Sequence, residues 1–456
     1  MASGGAQSRN PSTLNVRRSR RFATPHTTSR EHATIPQDLE DSKLLHEFWQ
    51  NFTHNLFKPL LLFFYFGFLI PILKVRFEFP YVIYQGLTMY LLLAIGWHGG
   101  EELAKIRSDI WVVVGFMLLG FVTNFIIGIC AYFILGRVTK IRKVDRATVA
   151  GFYGSDSAGT FATCVAVLAT AGIAFNAYMP VMLAVMEIPG CLVALYIVTR
   201  LRERGMSSAG YMPYEPGYRE SVSADRADSR ASTASQSDSA AQRSTDRERA
   251  INDEIEMALE KVSDRESERV SPPEGATKAG MFSGELLREV FLNPGLVLLI
   301  GGIVIGLISG LQGQKVVADD DRFFVLAFQG VLCLFLLEMG MTASRKLRDL
   351  RDAGPGFIAF ALIAPNVFAT IGIFIACGYA SITHTDFKSG TYVLFAVLCG
   401  AASYIAVPAV QRLAIPEASP TLPLAASLGL TFSYNVTIGI PLYIEIARAA
   451  ESLFGV

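Results

Sequence analysis

The chain has 456 residues, 51% of them hydrophobic, and its 40 basic and 40 acidic residues cancel to a formal net charge of zero. Mean hydropathy is +0.38 in spite of long polar stretches, so the rest of the chain is very apolar, and with no basic excess nucleic acid is excluded as a partner. The six cysteines (Cys130, Cys164, Cys191, Cys333, Cys377 and Cys399) all fall in apolar runs with no CxxC pair or Cys/His cluster, which argues against a disulfide framework or a zinc site and for small buried filler.

In chain order, the first section is a polar tail over residues 1–54. It carries Arg9, Arg17, Arg18, Arg20, Arg21 and Arg30, many Ser and Thr, and no acid before Glu31. That composition fits an organelle transit peptide and fits a basic, disordered tail equally well. Ten apolar runs follow, at 56–73, 80–98, 110–135, 148–173, 179–201, 294–312, 323–342, 356–380, 391–413 and 423–447. A bilayer crossing takes about 20 apolar residues. Lipid offers no partners to backbone polar groups, so each run is expected to be helical. The expected fold class is an all-α membrane protein with ten transmembrane helices.

Between the fifth and sixth runs lies a polar linker, residues 202–290. Its stretch 221–244 is rich in Ser, Ala, Arg and Asp and is expected to be disordered. Thr245 to Glu248 then reads as a capping box, and Ile251, Ile255, Leu259 and Val262 share one helical face. This short amphipathic helix either docks on a partner or the membrane surface, or is a solvated linker helix. The linker divides the membrane part into 55–201 and 291–456, five runs in each.

An internal repeat supports that division. Residues 84–106 align with 328–350, with identities Gln85/Gln329, Gly86/Gly330, Leu92/Leu336, Leu93/Leu337, Gly96/Gly340 and Leu103/Leu347. An odd number of crossings per copy turns the second copy upside down, giving a 5+5 inverted repeat. The charges agree: the second run ends on Glu101 and Glu102, the seventh on Arg345 and Lys346. By the positive-inside rule these ends lie on opposite sides. The loop after the third run, with Arg137, Lys140, Arg142, Lys143 and Arg146, places the linker on the cytoplasmic side and both termini outside. The arginine-rich tail runs against that topology unless it is cleaved or exported.

Inverted repeats with discontinuous helices hold substrate near the bilayer midplane, with half-helix N-termini aimed at an anion. Matching weak points are present. The fourth run contains Gly151-Phe-Tyr-Gly154-Ser155-Asp156-Ser157-Ala158-Gly159-Thr160, a poor helix interior. The ninth contains Gly400, Ala401, Ala402, Ser403 and Tyr404, with Pro408 disturbing the helix beyond them. Broken helices 4 and 9 are therefore expected. An acid at membrane depth points to function. Asp156, with Ser155 and Ser157, is the expected oxygen donor to a sodium ion, with Glu187 as a further ligand or proton carrier and Glu338 as another acid at that depth. Backbone N–H groups around Gly154, Ser155, Ser157, Gly159 and Thr160, and around Gly400, Ala402, Ser403 and Tyr404, are expected to hold the anion. Close packing of small residues, and hydrogen bonds that merely tie off a broken helix, account for the same residues without function. His98-Gly-Gly-Glu101-Glu102 has no metal-site logic, and no GxSxG, phosphate loop or nucleotide fingerprint occurs. No enzyme activity and no cofactor are expected, sodium apart.

Five segments in order carry a family resemblance: Gly151–Thr160, Val185-Met-Glu-Ile-Pro189, Leu336-Leu-Glu-Met-Gly-Met341, Leu362-Ile-Ala-Pro365 and Ser403–Pro416. Over roughly residues 56–201 and 290–450 the chain resembles the SbtA-like sodium-dependent bicarbonate transporters of cyanobacteria and their relatives. The resemblance implies five-plus-five inverted helices, a trimer, a sodium and bicarbonate site where helices 4 and 9 cross, and regulation by a PII-like protein from the cytoplasmic side. Where that family carries Ser-Ser-Asp in helix 9, the acid's position here is Tyr404 and the serines are Ala401 and Ala402; Asp156 is gained in helix 4, and Glu187 stands where the family has Asp. The expected function is sodium-coupled bicarbonate uptake, in the plasma membrane or, if residues 1–54 are a transit peptide, the chloroplast envelope. The alternatives are a proton-coupled carrier of another small anion or carboxylate, and a receptor or scaffold on the same fold.

Overall fold

The structure, a computed structural model, describes residues 57–105, 110–216, 218, 288, 292–347 and 354–455. The tail 1–54, the stretch 221–244 and the amphipathic segment 245–262 lie outside the described residues. Among the described residues every regular element is helical: α1 (Pro59–Ile72), α2 (Tyr81–Ala104), α3 (Ile110–Val138), α4 (Lys143–Tyr153), α5 (Ala158–Ala171), α6 (Met179–Glu203), α7 (Pro294–Gln312), α8 (Gln314–Asp321), α9 (Phe328–Lys346), α10 (Pro355–Thr383), α11 (Ser389–Gly400), α12 (Ala406–Ala414), α13 (Thr421–Leu424) and α14 (Ile440–Phe454). A π-helical turn, Arg322–Leu326, joins α8 to α9, and two more, Ala425–Phe432 and Asn435–Gly439, join α13 to α14.

Among the described residues, five stretches are long and apolar enough to cross a membrane: Ile110–Val138, Met179–Glu203, Pro294–Gln312, Arg322–Lys346 and Pro355–Thr383. Their outward faces are apolar, as lipid demands: Trp111 is 77% exposed, Leu118 63% and Ile363 60%. Cys130 is exposed on the α3 surface, so it is not the buried filler expected from its apolar run; Cys164, Cys191, Cys377 and Cys399 are buried. Of the other expected spans, α1 is shorter, α2 is 24 residues long but less apolar, and the rest are interrupted, so length and hydropathy alone do not mark them.

Glycines bring two helix pairs into backbone contact. On α2, a Cβ at Gly96 would lie 2.5 Å from the Leu299 carbonyl oxygen and 2.9 Å from the Gly302 Cα of α7. On α9, a Cβ at Gly340 would overlap the Phe64 carbonyl of α1 and lie 2.7 Å from the Phe68 nitrogen. Small residues let apolar helices approach closely where no hydrophobic effect drives them together.

The segments α4–α5 and α11–α12 run antiparallel to each other. At one end, the start of α4 meets the loop after α12: Ser419 N–H donates to the Asp145 carboxylate at 2.8 Å, and Arg202 at the end of α6 donates to the Ala414 carbonyl at 2.8 Å. At the other end, Gly390 N–H at the start of α11 donates to Ala174 just after α5, at 2.9 Å, and Thr391 Oγ1 pairs with Asn176. The first residues beyond α6 also pack here. Ser207–Tyr218 turns back on itself; Met212 is buried, Arg142 donates to the Ala209 carbonyl at 2.8 Å, and Lys143 N–H donates to Glu215 at 2.9 Å.

Candidate functional site

Each of the two antiparallel segments is interrupted midway. After Tyr153 the chain leaves helical geometry for four residues, Gly154 to Ser157, and re-enters at Ala158. The cause is local. Three glycines and two serines weaken the helix, and Ser157 is extended (φ −136°, ψ 112°) and caps α5, its Oγ accepting from Thr160 N–H at 3.3 Å. The Thr160 hydroxyl donates to the same oxygen at 3.0 Å. In the second segment α11 ends at Gly400, Ala401 is extended, and α12 begins at Ala406.

One backbone hydrogen bond ties the interruptions together: Ser403 N–H donates to the Phe152 carbonyl at 2.9 Å. Both segments thus satisfy at their crossing part of what each loses by breaking. Side chains from other helices serve the rest. Asn435, on the third π-helical turn, donates from Nδ2 to the Gly400 carbonyl at 2.9 Å and accepts at Oδ1 from Tyr443 at 2.8 Å. Asn124 of α3 donates to the Met186 carbonyl at 2.9 Å, and Ser155 Oγ donates to the Glu187 carbonyl. Gln411 reaches back to Thr148, and Tyr153 pairs with Thr431, which donates onward to Ala361. These asparagines, Gln411 and Thr431 were missed by a reading that looked for acids and glycines. Their signal was available: each is a polar side chain within one of the apolar runs.

The residues expected at the site are brought together in part. Ser155, Asp156, Ser157, Thr160, Ala402, Ser403 and Tyr404 are all buried, as are Gly154, Gly159 and Gly400, with Glu187 at 9% exposure. Gly190 of α6 lies so close that a Cβ there would be 2.7 Å from Ser155 N and 2.8 Å from the Gly154 carbonyl carbon. Asp156 is completely buried, and among the described residues neither carboxylate oxygen has a hydrogen-bond partner. The charged group nearest in effect is Glu187, from the same side of the crossing. Thr160 N–H is already engaged by Ser157, so that position offers less to an anion than the sequence suggests. Glu338 stands apart: Thr342 donates to it at 2.8 Å, and its electrostatic neighbours are Tyr84 and Arg345. A cavity of about 370 Å³ lies beyond the end of α5, lined by Lys388, Ser389, Arg448 and Glu451 among others, away from the crossing.

A fully buried carboxylate without hydrogen bonds is costly unless something positive meets it. Among the described residues no group of three or more His, Cys, Asp or Glu side chains is placed to hold a metal ion. Asp156 is flanked in sequence by Ser155 and Ser157, so the nearby side chains offer carboxylate and hydroxyl oxygens. That is hard oxygen chemistry, of the kind that suits a weakly held alkali cation rather than zinc. Half-helix termini at a crossing, beside an acid without a partner, are features of membrane carriers. The class is therefore an integral membrane transport protein. The chain belongs to the Na+-dependent bicarbonate transporter superfamily, which it matches over residues 59–448. No curated protein matches it.

Proposed function

We propose that this chain is a secondary carrier that takes up bicarbonate together with sodium, and that the crossing of α4–α5 with α11–α12 is its transport site. The observation that carries this is Asp156, buried with both carboxylate oxygens unpartnered beside the N-terminus of α5. A half-helix N-terminus carries about +0.5 charge, which suits a monovalent anion, whereas a bare carboxylate next to it repels one. A sodium ion at Asp156 resolves the conflict, with its sequence neighbours Ser155 and Ser157 and the electrostatically coupled Glu187 as the candidate further ligands. The arrangement also couples the ligands: sodium makes the anion site attractive, and by reciprocity the anion tightens sodium.

The wider reading is of ten spans in a 5+5 inverted repeat, with helix 4 made of α4 and α5 and helix 9 of α11 and α12. It is supported by the antiparallel run of the two interrupted segments. The pair Gly96 and Gly340, matched in sequence, also plays matched parts: one seats α2 on α7, the other seats α9 on α1. In this topology the end bearing Arg142, Arg202 and Glu417 faces the cytoplasm, in line with the positive-inside rule.

The test is uptake of labelled bicarbonate into proteoliposomes with and without an inward sodium gradient. Accumulation that requires sodium is the expected result. Accumulation driven by a proton gradient alone would replace sodium by protons as the coupling ion, and uptake of neither kind would remove the transport reading.

A further inference from the structure

We propose that the surface where α3 turns into α4 holds a phospholipid with an anionic head group, its phosphate on Arg137, Lys140 and Arg146 and an acyl chain along the exposed face of α3. Only the crossing of the bilayer by α3 is needed, for which that helix is long and apolar enough. The site therefore stands or falls apart from the sodium and bicarbonate reading.

The charges at this end of α3 are unevenly matched. Arg142 is held by the Asp145 carboxylate, but among the described residues no carboxylate pairs with Arg137, Lys140, Lys143 or Arg146. Lys143 lies over the Tyr214 ring, whereas Arg137 and Lys140 are exposed. Arg146 is half-buried. Its guanidinium lies over the Tyr132 ring, Cζ 5.5 Å from the centroid, and its Nε is buried with no hydrogen-bond partner among the described residues. Gly136 makes the space for it: a Cβ there would overlap Arg146 Nη1. Tyr132 and Gly136 are one turn apart on α3, so ring and glycine form a shallow cradle that lays the guanidinium against the helix end. A cation taken partly out of water without an acid needs an anion from elsewhere. A planar fork held on an aromatic face suits a phosphate, which it can grip through two oxygens. The end of α3 itself opposes an anion with about −0.5 charge, which three unpaired cations outweigh.

What lies beside the cations decides the kind of phosphate. Val122, Ile126, Cys130 and Phe133 follow one another at helical spacing up to Arg137, and all are exposed, Ile126 by 52% and Phe133 by 56%. An apolar stripe that ends in unpaired cations matches an amphiphile with its anion at one end. A soluble phosphate or an acidic protein segment would meet the charges and leave the stripe unused. Basic side chains close to an anionic leaflet attract its lipids, and the cradle at Gly136 fixes one such side chain in place.

The experiment places a tryptophan on the stripe, Phe133→Trp, in phosphatidylcholine nanodiscs, and reads its fluorescence as the difference from wild type. Traces of brominated phosphatidylglycerol or brominated phosphatidylcholine quench it when they sit beside it. One cation near an anionic head group is worth about fivefold in binding, so phosphatidylglycerol should quench at about fivefold lower concentration or less. A tryptophan in place of Ile305 on α7, a position 54% exposed, is the control and should show no preference. In the probe protein, Arg137→Gln with Arg146→Gln should bring the two lipids level. Gly136→Leu keeps every charge but fills the cradle, and should lower the preference about fivefold, the share of Arg146. Equal quenching by the two lipids in the probe protein overturns the site. A preference that survives the double substitution belongs to the general charge of this face and overturns it too, and an unchanged preference in Gly136→Leu overturns the cradle. Free glycerol phosphate should leave the preference in place; if it abolishes it, the ligand is a soluble phosphate and the lipid assignment falls. Melting curves check the fold. Should the double variant not fold, Arg137→Gln with Lys140→Gln, both exposed, takes its place with the same two outcomes.

Discussion

Gly190→Ala is the smallest change that should disturb the crossing without touching a ligand oxygen. Its new Cβ would overlap the Gly151 carbonyl and lie 2.7 Å from Ser155 N and 2.8 Å from the Gly154 carbonyl carbon. All three are backbone atoms, so no side chain can rotate out of the way. Ordinary contact begins at 3.4 Å, so clearing Ser155 N alone takes 3.4 − 2.7 = 0.7 Å of movement between α6 and the break. Overpacking of this kind costs about 1–3 kcal/mol. The functional cost should exceed the stability cost, because metal–ligand distances are set to within about 0.2 Å. The expected outcome is a folded protein with slightly lowered melting temperature and a sodium half-saturation raised at least tenfold, read from uptake at fixed bicarbonate. Gly301→Ala, on the lipid-facing side of α7 with nothing near its Cβ position, is the control and should leave both readings unchanged. A Gly190→Ala protein with wild-type melting and wild-type sodium dependence would refute the claim that α6 positions the break.

Asn435→Ala should destabilise by about 2–5 kcal/mol, since it strands both the Gly400 carbonyl and the Tyr443 hydroxyl in the interior, and thermal unfolding in detergent measures it. Asp145→Ala should cost about 2 kcal/mol by the same measurement, because it removes two of the Arg142 guanidinium's hydrogen bonds (2.7 and 2.9 Å) and the acceptor of Ser419 N–H. Glu338→Gln should transport with unchanged sodium dependence, its neighbours being Thr342, Tyr84 and Arg345 rather than Asp156; a shifted sodium titration would return Glu338 to the site. Single cysteines at Ser207 and Ser389, in a background without the native six, should be labelled from opposite sides of the membrane, and labelling from one side would overturn the topology.

The sequence shows Asp156 and the break around it clearly because the signal is local: glycines, serines and an acid crowd into ten residues of an otherwise apolar run. The second interruption is harder to read, since Ala401 and Ala402 carry no helix-breaking chemistry and the chain stops being helical there partly through contacts made elsewhere. Asn435 lies 35 residues from the carbonyl it satisfies, and Ser403 pairs with Phe152 across the whole chain between the repeats. Periodicity carries no information on such pairings. Tyr404 illustrates the same limit. Its position in the run is plain from the sequence, but that its hydroxyl reaches Gly159 follows only from the crossing. The start of the linker behaves likewise: residues 207–216 are turn-rich, and their packing rests on Arg142 and Lys143 more than 60 residues earlier.

The central claim is that Asp156 is the carboxylate that binds the coupling sodium ion, and the direct measurement is a sodium titration of bicarbonate uptake by Asp156→Asn in proteoliposomes. The substitution keeps the shape and removes the charge. The account predicts that the protein folds and inserts normally while its sodium dependence is lost or shifted at least tenfold to higher concentration. Uptake by Asp156→Asn with the sodium dependence of wild type would contradict it.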